Sequence, residues 1–350
     1  MPLLTTTIGA YPKPDYLDLP DWFRVGGPSG EDPTAAYTAY LKAAPADLQA
    51  TLDRATREAV AEQVAAGIDV PSEGELRRDN YIHYHCRHLK GFDFENLVEK
   101  AMRTGAWTAR VPAVTGPIAA GAPFLVEDWR RAQAASERPV KITLPGPLTV
   151  ADTVADRYYG DERQLGAAMA EALNVEVRAL AAAGCRWIQI DEPLFARYPE
   201  KALAFGLDNL ERAFEGTPPE VTRVVHMCCG YPDKLDETDY LKADRGAYFA
   251  LAEALEQSSI HAVSIEDAHR HNELSLLEHF PSKTVILGAV AIARSRVETV
   301  EEIRERLSGA LQHIDAGRLM AAPDCGLGML PPETVQAKLR NMTAAARAVG

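Results

Sequence analysis

The sequence has little that would suit a membrane, a nucleic acid or an oxidising compartment. No apolar run approaches the ~20 residues of a membrane helix, and the N-terminal segment lacks the basic start and long apolar core of a secretory signal. The formal net charge of −13 argues against a nucleic-acid surface. Five cysteines in 350 residues do not suggest a disulfide framework. We therefore expect a cytoplasmic protein with reduced thiols that acts on small molecules.

The composition, with 47% hydrophobic and 25% charged residues, is typical of a globular enzyme with a large core. Apolar, β-rich segments alternate with amphipathic helical patterns such as 48–66 and 162–183, the second ended by Gly184. Residues 15–45 are predicted to form a loop. Eight strands are predicted, at 3–8, 68–70, 140–144, 187–190, 223–225, 261–265, 284–290 and 319–322. This order predicts an α/β fold, a (β/α)8 TIM barrel, as one domain over 1–350 with a rim hairpin insertion at about 92–135.

Four metal-donor side chains follow strand-like segments. His226 and Cys228 lie in VVHMCCG, and their i, i+2 spacing puts both on one face of a strand. Glu266 follows in VSIEDAH and Cys325 in MAAPDCGLG. An HxC pair alone is more often a buried cysteine beside a hydrogen-bonded histidine. Four donors of this borderline-soft kind, each after a strand, favour a zinc site.

Other polar residues also follow strands. Asp191 and Glu192 directly follow the fourth strand, where they could serve in acid–base catalysis or bind an amine. Alternatively, Asp191 could be the N-cap of the next helix. Glu73 and Glu75 follow the second strand and could be solvated loop carboxylates. His83, His85, Cys86 and His88 resemble a metal cluster, but an aromatic-rich helix near the barrel mouth is the favoured interpretation. His269 and His271 are expected to be solvated.

The segments HMCCG, SIEDA and PDCGLG, together with TTTIGAYPKP and IQIDEP, resemble the catalytic barrel of the cobalamin-independent methionine synthase family. The resemblance runs from Thr5 to about residue 330. It implies a methyltransferase of methionine biosynthesis, with zinc held by His226, Cys228, Glu266 and Cys325. The zinc would activate a thiol as the methyl acceptor, and the expected acceptor is homocysteine.

The resemblance also implies a substrate site. The loop after the first strand, here Ile8, Gly9 and Ala10, would cradle the acceptor amino acid, although the family has a serine where this chain has Ala10. Glu75 would bind the amino group of the acceptor. Asp191 would face the substrates and serve as the catalytic carboxylate.

The sequence says less about the methyl donor than about the acceptor. Full-length family members have two barrels, and this chain has length for one. Folate-using relatives carry an Asp-x-His pair after strand seven, where this chain has Ala291 and Ala293. We therefore expect a non-folate donor such as methylcobalamin, with a corrinoid protein as a candidate partner. The alternatives are folate-dependent methionine synthesis, alkylation like that of epoxyalkane–coenzyme M transferases, a zinc hydrolase, and a protein with a structural zinc. A structural zinc site would normally show a CxxC spacing, which is absent here.

Overall fold

Parallel strands in one curved sheet dominate the computed structural model of the chain, which describes residues 2–23, 32–102, 107–230, 232, 234–238 and 240–349. The strands in chain order are β1 (Leu4–Thr5), β2 (Lys90–Met102), β3 (Trp107–Ala119), β4 (Ile142–Pro145), β5 (Ala155–Asp156), β6 (Trp187–Asp191), β7 (Thr222–Met227), β8 (Ala262–Ile265), β9 (Thr284–Val290) and β10 (Leu319–Pro323). The main sheet has the order β1-β10-β9-β8-β7-β6-β4, and all of its strand pairs are parallel.

Helices alternate with these strands. They are α1 (Pro33–Lys42), α2 (Leu48–Ala65), α3 (Tyr81–Arg87), α4 (Leu125–Gln133), α5 (Pro147–Thr153), α6 (Glu162–Ala183), α7 (Pro193–Arg197), α8 (Pro199–Lys201), α9 (Leu207–Phe214), α10 (Ala247–Gln257), α11 (Val300–Ala310) and α12 (Pro332–Ala348). A π-helical turn (Ala202–Gly206) and two 3-10 turns (Leu274–His279 and Ala316–Arg318) complete them. Within the described ranges, no helix combines the length and the apolar character that a membrane crossing needs.

The central strands are buried along almost their whole length, which explains their nearly continuous apolar sequences. Side chains on one face of β7 to β10, including Val224, Ala262, Ile286 and Met320, form a small apolar cluster of their own. Because side chains alternate along a strand, Val224 shares its face with His226, and Ala262 shares its face with Ser264. The apolar cluster therefore lies beneath the polar residues at the strand ends.

The two edge strands, β1 and β4, are linked through the segment 70–72. Thr6 forms a parallel bridge with Val70, and Ser72 forms one with Lys141. The buried Gln63 of α2 supports this segment: its Oε1 accepts from Thr7 Oγ1 at 2.6 Å and from Ser72 N at 3.0 Å, and its Nε2 donates to Ser72 O at 3.1 Å. The second strand predicted from the sequence is therefore two single bridges around 70–72 rather than a regular strand.

A hairpin of β2 and β3 occupies much of the stretch at about 92–135 that was predicted as a rim insertion, and it begins at Lys90; the segment 108–119, expected to hold the hairpin, is part of the single strand β3. The two strands pair antiparallel from Lys90 opposite Ala119 to Met102 opposite Trp107, and β5 adds to β3 in parallel. Helix α1 lies in the stretch 15–45 that the sequence suggested to be loop. Its N-cap, Asp32, accepts a hydrogen bond from Ala35 N at 2.9 Å, and proline occupies its first turn.

Replacing Gln63 tests how much the segment 70–72, which joins β1 to β4, contributes to the stability of the fold. Gln63→Met keeps the length of the side chain but leaves Ser72 O and Thr7 Oγ1 without their buried partner. Unsatisfied buried groups typically cost about 1–3 kcal/mol, so the free energy of unfolding should fall by about that amount in urea denaturation. Gln257→Met, on the exposed end of α10, is the matched control and should change it by less than about 0.5 kcal/mol. Equal effects of the two substitutions would contradict this role of Gln63.

Candidate active site

Three of the four predicted metal ligands meet at the carboxyl ends of the strands. The donor atoms of His226, Cys228 and Cys325 all lie within 4.8 Å of one another. His226 lies near the end of β7, Cys228 follows that strand directly, and Cys325 follows β10. Parallel strands end on the same edge of the sheet, so residues nearly 100 positions apart in sequence come together there.

The imidazole of His226 is held in one orientation by its neighbour in the sheet. His226 pairs in register with Ser264 of β8, and Ser264 Oγ lies 2.9 Å from His226 Nδ1. The other ring nitrogen, Nε2, is buried and has no hydrogen-bond partner among the residues that the structure describes. This arrangement is compatible with metal binding, and the two neighbouring thiols distinguish His226 from His83 and His85, whose buried Nε2 atoms also lack a partner among the described residues.

The two thiols share one negative charge. The hydrogen bond from Cys325 holds the pKa of Cys228 well below its usual range against the opposing effect of burial, and His226 and Arg197 add to the effect. The same hydrogen bond raises the pKa of Cys325 well above its usual range. Cys228 is therefore the thiolate of the pair, and thiolate is the form that binds metals. The donor set of one imidazole and two cysteine sulfurs fits zinc.

Glu266, the fourth predicted ligand, lies in a neighbouring cluster. Its carboxylate forms an ion pair with Lys242 and accepts from Cys229 N at 3.1 Å. Its oxygens group with donor atoms of His269 and Asp324 rather than with His226 and the thiols. The structure thus places Glu266 next to the three-residue cluster but does not bring it into that cluster.

Asp324 and His269 form a buried pair beside Glu266. Asp324 accepts from the backbone N of Asp267, Ala268 and His269 at 2.7–2.8 Å, and its Oδ2 lies 2.7 Å from His269 Nδ1. The expectation that His269 is solvated is wrong, because its side chain is only 4% exposed, whereas that of His271 is 63% exposed. Asp324 adjoins Cys325 in sequence, so its hydrogen bonds fix the loop that carries this thiol.

Glu75 and Asp191 lie at the same edge of the sheet. Glu75 adopts a positive φ of 57°, which is uncommon outside glycine, and accepts from Thr143 Oγ1 at 2.6 Å. Asp191 Oδ1 accepts from Gln189 Nε2 at 2.6 Å, and burial raises the pKa of Asp191 to about 7. Glu192 points elsewhere: it accepts from Leu148 N, Thr149 N and Thr149 Oγ1 and so anchors the start of α5.

A cavity of about 340 Å³ connects these groups. Its lining includes the predicted substrate residues Ile8, Gly9, Ala10, Glu75 and Asp191, together with His226, Cys228 and Cys325 but not Glu266. Gly9 lets the chain pass close to Glu75: a β-carbon there would lie 2.5 Å from Glu75 Oε1, so a larger residue would displace that carboxylate. Further out, the cavity is walled by the start of α1 and by the β2–β3 hairpin. The sequence predicted a hairpin at the rim, but it did not predict α1.

The histidines of α3 have structural partners. His83 Nδ1 lies 2.8 Å from Thr34 Oγ1, His85 Nδ1 lies 2.6 Å from Tyr81 O, and His88 stacks on Phe124 at 3.9 Å between ring centroids. They do not belong to either group of potential metal ligands found in the described ranges. This agrees with the prediction of an aromatic-rich helix beside the site.

Comparison with known proteins identifies the family. The family profile described as "Cobalamin-independent synthase, Catalytic domain" matches residues 3–348, and the chain belongs to that family. It is 28% identical to "Methionine synthase" of Sulfolobus acidocaldarius over 97% of this chain and 90% of that protein. It is 29% identical to "Methionine synthase" of Saccharolobus solfataricus over 100% of this chain and 96% of that protein.

Solved structures agree with this assignment. A B12-independent methionine synthase from Shewanella sp. W3-18-1 in complex with selenomethionine has a TM-score of 0.85 and 30% identity, with 100% of this chain and 98% of that chain covered. A putative vitamin-B12-independent methionine synthase from Listeria monocytogenes, at 18% identity and a TM-score of 0.72 with 100% and 98% covered, shares the fold. The chain is thus an enzyme, a methyltransferase of the methionine synthase type. The family's cobalamin-independent character gives no support to methylcobalamin or to a corrinoid protein partner.

Alkylation of the metal-free protein tests the unequal thiols. With iodoacetamide near pH 7 we expect Cys228 to be modified first, because its lowered pKa keeps it ionised. Cys185 and Cys229 should react slowly, because burial raises their pKa values to about 12 and about 11. Site-resolved mass spectrometry gives the rates, and added zinc should protect Cys228 and Cys325. Faster modification of Cys185, or no protection by zinc, would contradict the assignment.

Proposed function

We propose that the chain transfers a methyl group to the thiol of homocysteine and forms methionine, with zinc as its resident metal. The observation that carries the proposal is the group of His226, Cys228 and Cys325, with an unpartnered imidazole nitrogen and a thiolate facing one cavity. The full-length similarity to curated methionine synthases supports the acceptor. The two bridges through 70–72 support a closed (β/α)8 barrel, with 1–350 as one catalytic domain and the stretch at about 92–135 inserted at its rim.

Zinc would be held by His226, Cys228 and Cys325, with Glu266 as the fourth ligand. Bound there, the metal supplies a positive charge that keeps an acceptor thiol ionised near neutral pH. Glu266 would have to exchange its ion pair with Lys242 for this role. Ser264 keeps His226 Nε2 directed to the site through its contact with Nδ1.

The acceptor's ammonium group would lie between Glu75 and Asp191, which supply carboxylate oxygens in the cavity. Burial raises the pKa of Asp191 to about 7, and an ammonium group in contact with it would favour the ionised form. The backbone of Ile8, Gly9 and Ala10 would support the rest of the amino acid. Ala10 cannot offer the hydroxyl of the family serine, so the backbone groups would act alone there.

The donor would be one whose leaving group needs no positioned acid. Ala291 and Ala293 are buried and apolar. The neighbouring His269 does not replace the missing histidine, because its Nδ1 contacts Asp324 and its Nε2 accepts from Ala293 N at 3.3 Å. Folate-dependent synthesis and alkylation like that of epoxyalkane–coenzyme M transferases stay as alternatives. A zinc hydrolase is less well supported, because two thiolates make zinc a weaker activator of water.

The metal assignment is tested by removing single thiols. Cys228→Ser and Cys325→Ser should each lose bound zinc and methyl transfer while keeping the circular-dichroism spectrum, because each change replaces a single sulfur atom by oxygen and leaves the packing nearly unchanged. Cys185→Ser, a buried cysteine outside the cavity, is the matched control and should keep its zinc. Zinc content is measured by elemental analysis after dialysis against a weak chelator. Full retention of zinc in both ligand variants would refute the assignment.

The donor is tested with methyltetrahydrofolate, its triglutamate and methylcobalamin at equal concentration. The folates should be poor donors, because the loss of a positioned acid typically costs about 10²–10⁴-fold in rate. Methylcobalamin serves as a reference compound whose leaving group needs no proton. Methionine is quantified in each reaction. Faster formation of methionine from either folate than from methylcobalamin would contradict this part of the proposal.

A further inference from the structure

Arg197 is a cation on the cavity wall whose side chain has no partner among the residues that the structure describes. Two arginines line the cavity, and one of them, Arg110, forms an ion pair with Asp32 at 3.2 Å. The side chain of Arg197, the last residue of α7, makes no hydrogen bond or ion pair in the described part of the chain. A guanidinium is always charged and carries five N–H donors in a planar fork. An unpaired fork on a cavity wall is therefore available to a ligand.

The backbone around Arg197 is firmly placed. Leu194, Phe195 and Ala196 of α7 are buried in the core, and Tyr198 N donates to Leu194 O at 2.8 Å. Glu192, just before α7, is held by the start of α5. These contacts fix the rotation of the short helix and so direct Arg197 to the cavity.

Arg197 lines the same cavity as His226, Cys228 and Cys325. Burial raises the pKa of Asp152 on the α5 wall, and Arg197 is one of the cations that oppose this rise. No ion pair joins Arg197 to Asp152, so this carboxylate does not neutralise it.

We infer that Arg197 binds a carboxylate, or another anionic oxygen group, on one of the two substrates. Glu75 and Asp191 suit an ammonium group, and among the cavity-lining residues Arg197 is the cation left for an anion. The net charge of −13 would otherwise repel an anionic substrate, so a local cation is needed. The inference rests on the proposed function in taking an amino-acid thiol and a methyl donor as substrates. The carboxylate could come from either one.

The acceptor side is tested by equilibrium binding, which needs no turnover. The probes are methionine and 3-(methylthio)propylamine, which keeps the thioether and the ammonium group but lacks the carboxylate. If the acceptor supplies the anion, Arg197→Met should weaken methionine binding about 10- to 100-fold in calorimetric titration and leave binding of the amine unchanged. Arg197→Lys, which keeps the charge but not the fork, should be intermediate. Arg212→Met, an exposed site on α9 with the same change in charge, is the matched control.

The donor side is tested by equilibrium binding of methyltetrahydrofolate and of 5-methyltetrahydropterin, which lacks the glutamate carboxylates, so that slow turnover of a folate does not matter. If the donor supplies the anion, Arg197→Met should weaken binding of methyltetrahydrofolate about 10- to 100-fold and leave binding of the pterin unchanged. Identical behaviour of Arg197→Met and Arg212→Met in both sets of measurements overturns the inference. The inference and the proposed function can fail separately. If Arg197→Met changes probe binding as expected but the wild-type protein does not methylate homocysteine, the proposed function is refuted and the inference is supported.

Discussion

The pairing of β7 with β8 is the constraint on which the site depends. It sets His226 opposite Ser264, and the hydroxyl fixes the imidazole through Nδ1 and leaves Nε2 directed to the thiols. A slip of one residue in this register would turn His226 and Cys228 to the opposite face of the sheet. The buried, apolar strands make such a slip costly, because it would also expose the side chains beneath the site. The core of the fold and the chemistry of the site are therefore fixed by the same interaction.

Charged groups of both signs line one cavity. Glu75 and Asp191 supply carboxylates, and Arg197 supplies a guanidinium, in the same cavity as His226 and the two thiols. Glu266 and Lys242 form a paired charge just outside the cavity lining. The proposed exchange of Glu266 from Lys242 to a bound cation would keep the carboxylate paired with a positive charge. The ion pair with Lys242 also explains why Glu266 does not group with His226 and the thiols.

Much of the fold and three ligands could be predicted from the sequence because they depend on local patterns. Apolar runs predicted β6 to β10, Gly184 predicted the end of α6, and a polar residue after each strand predicted the shared edge. Long-range pairs could not be predicted. Lys242 lies in a loop-rich segment with no periodic signal, and the burial of His269 depends on Asp324, which is 55 residues away. The signals for α1, Asp32 followed by Pro33, were present but were outweighed by the glycine-rich stretch before them.

The central claim is that His226, Cys228 and Cys325 hold a zinc ion to which the acceptor thiol gains access. X-ray absorption at the zinc edge, recorded on the zinc-loaded protein before and after addition of homocysteine, tests it most directly. The account predicts two sulfur neighbours in the free protein at about 2.3 Å, together with nitrogen or oxygen, and three sulfur neighbours with homocysteine. A sulfur count that is unchanged by homocysteine, or a free protein whose zinc has no sulfur neighbours, would contradict it.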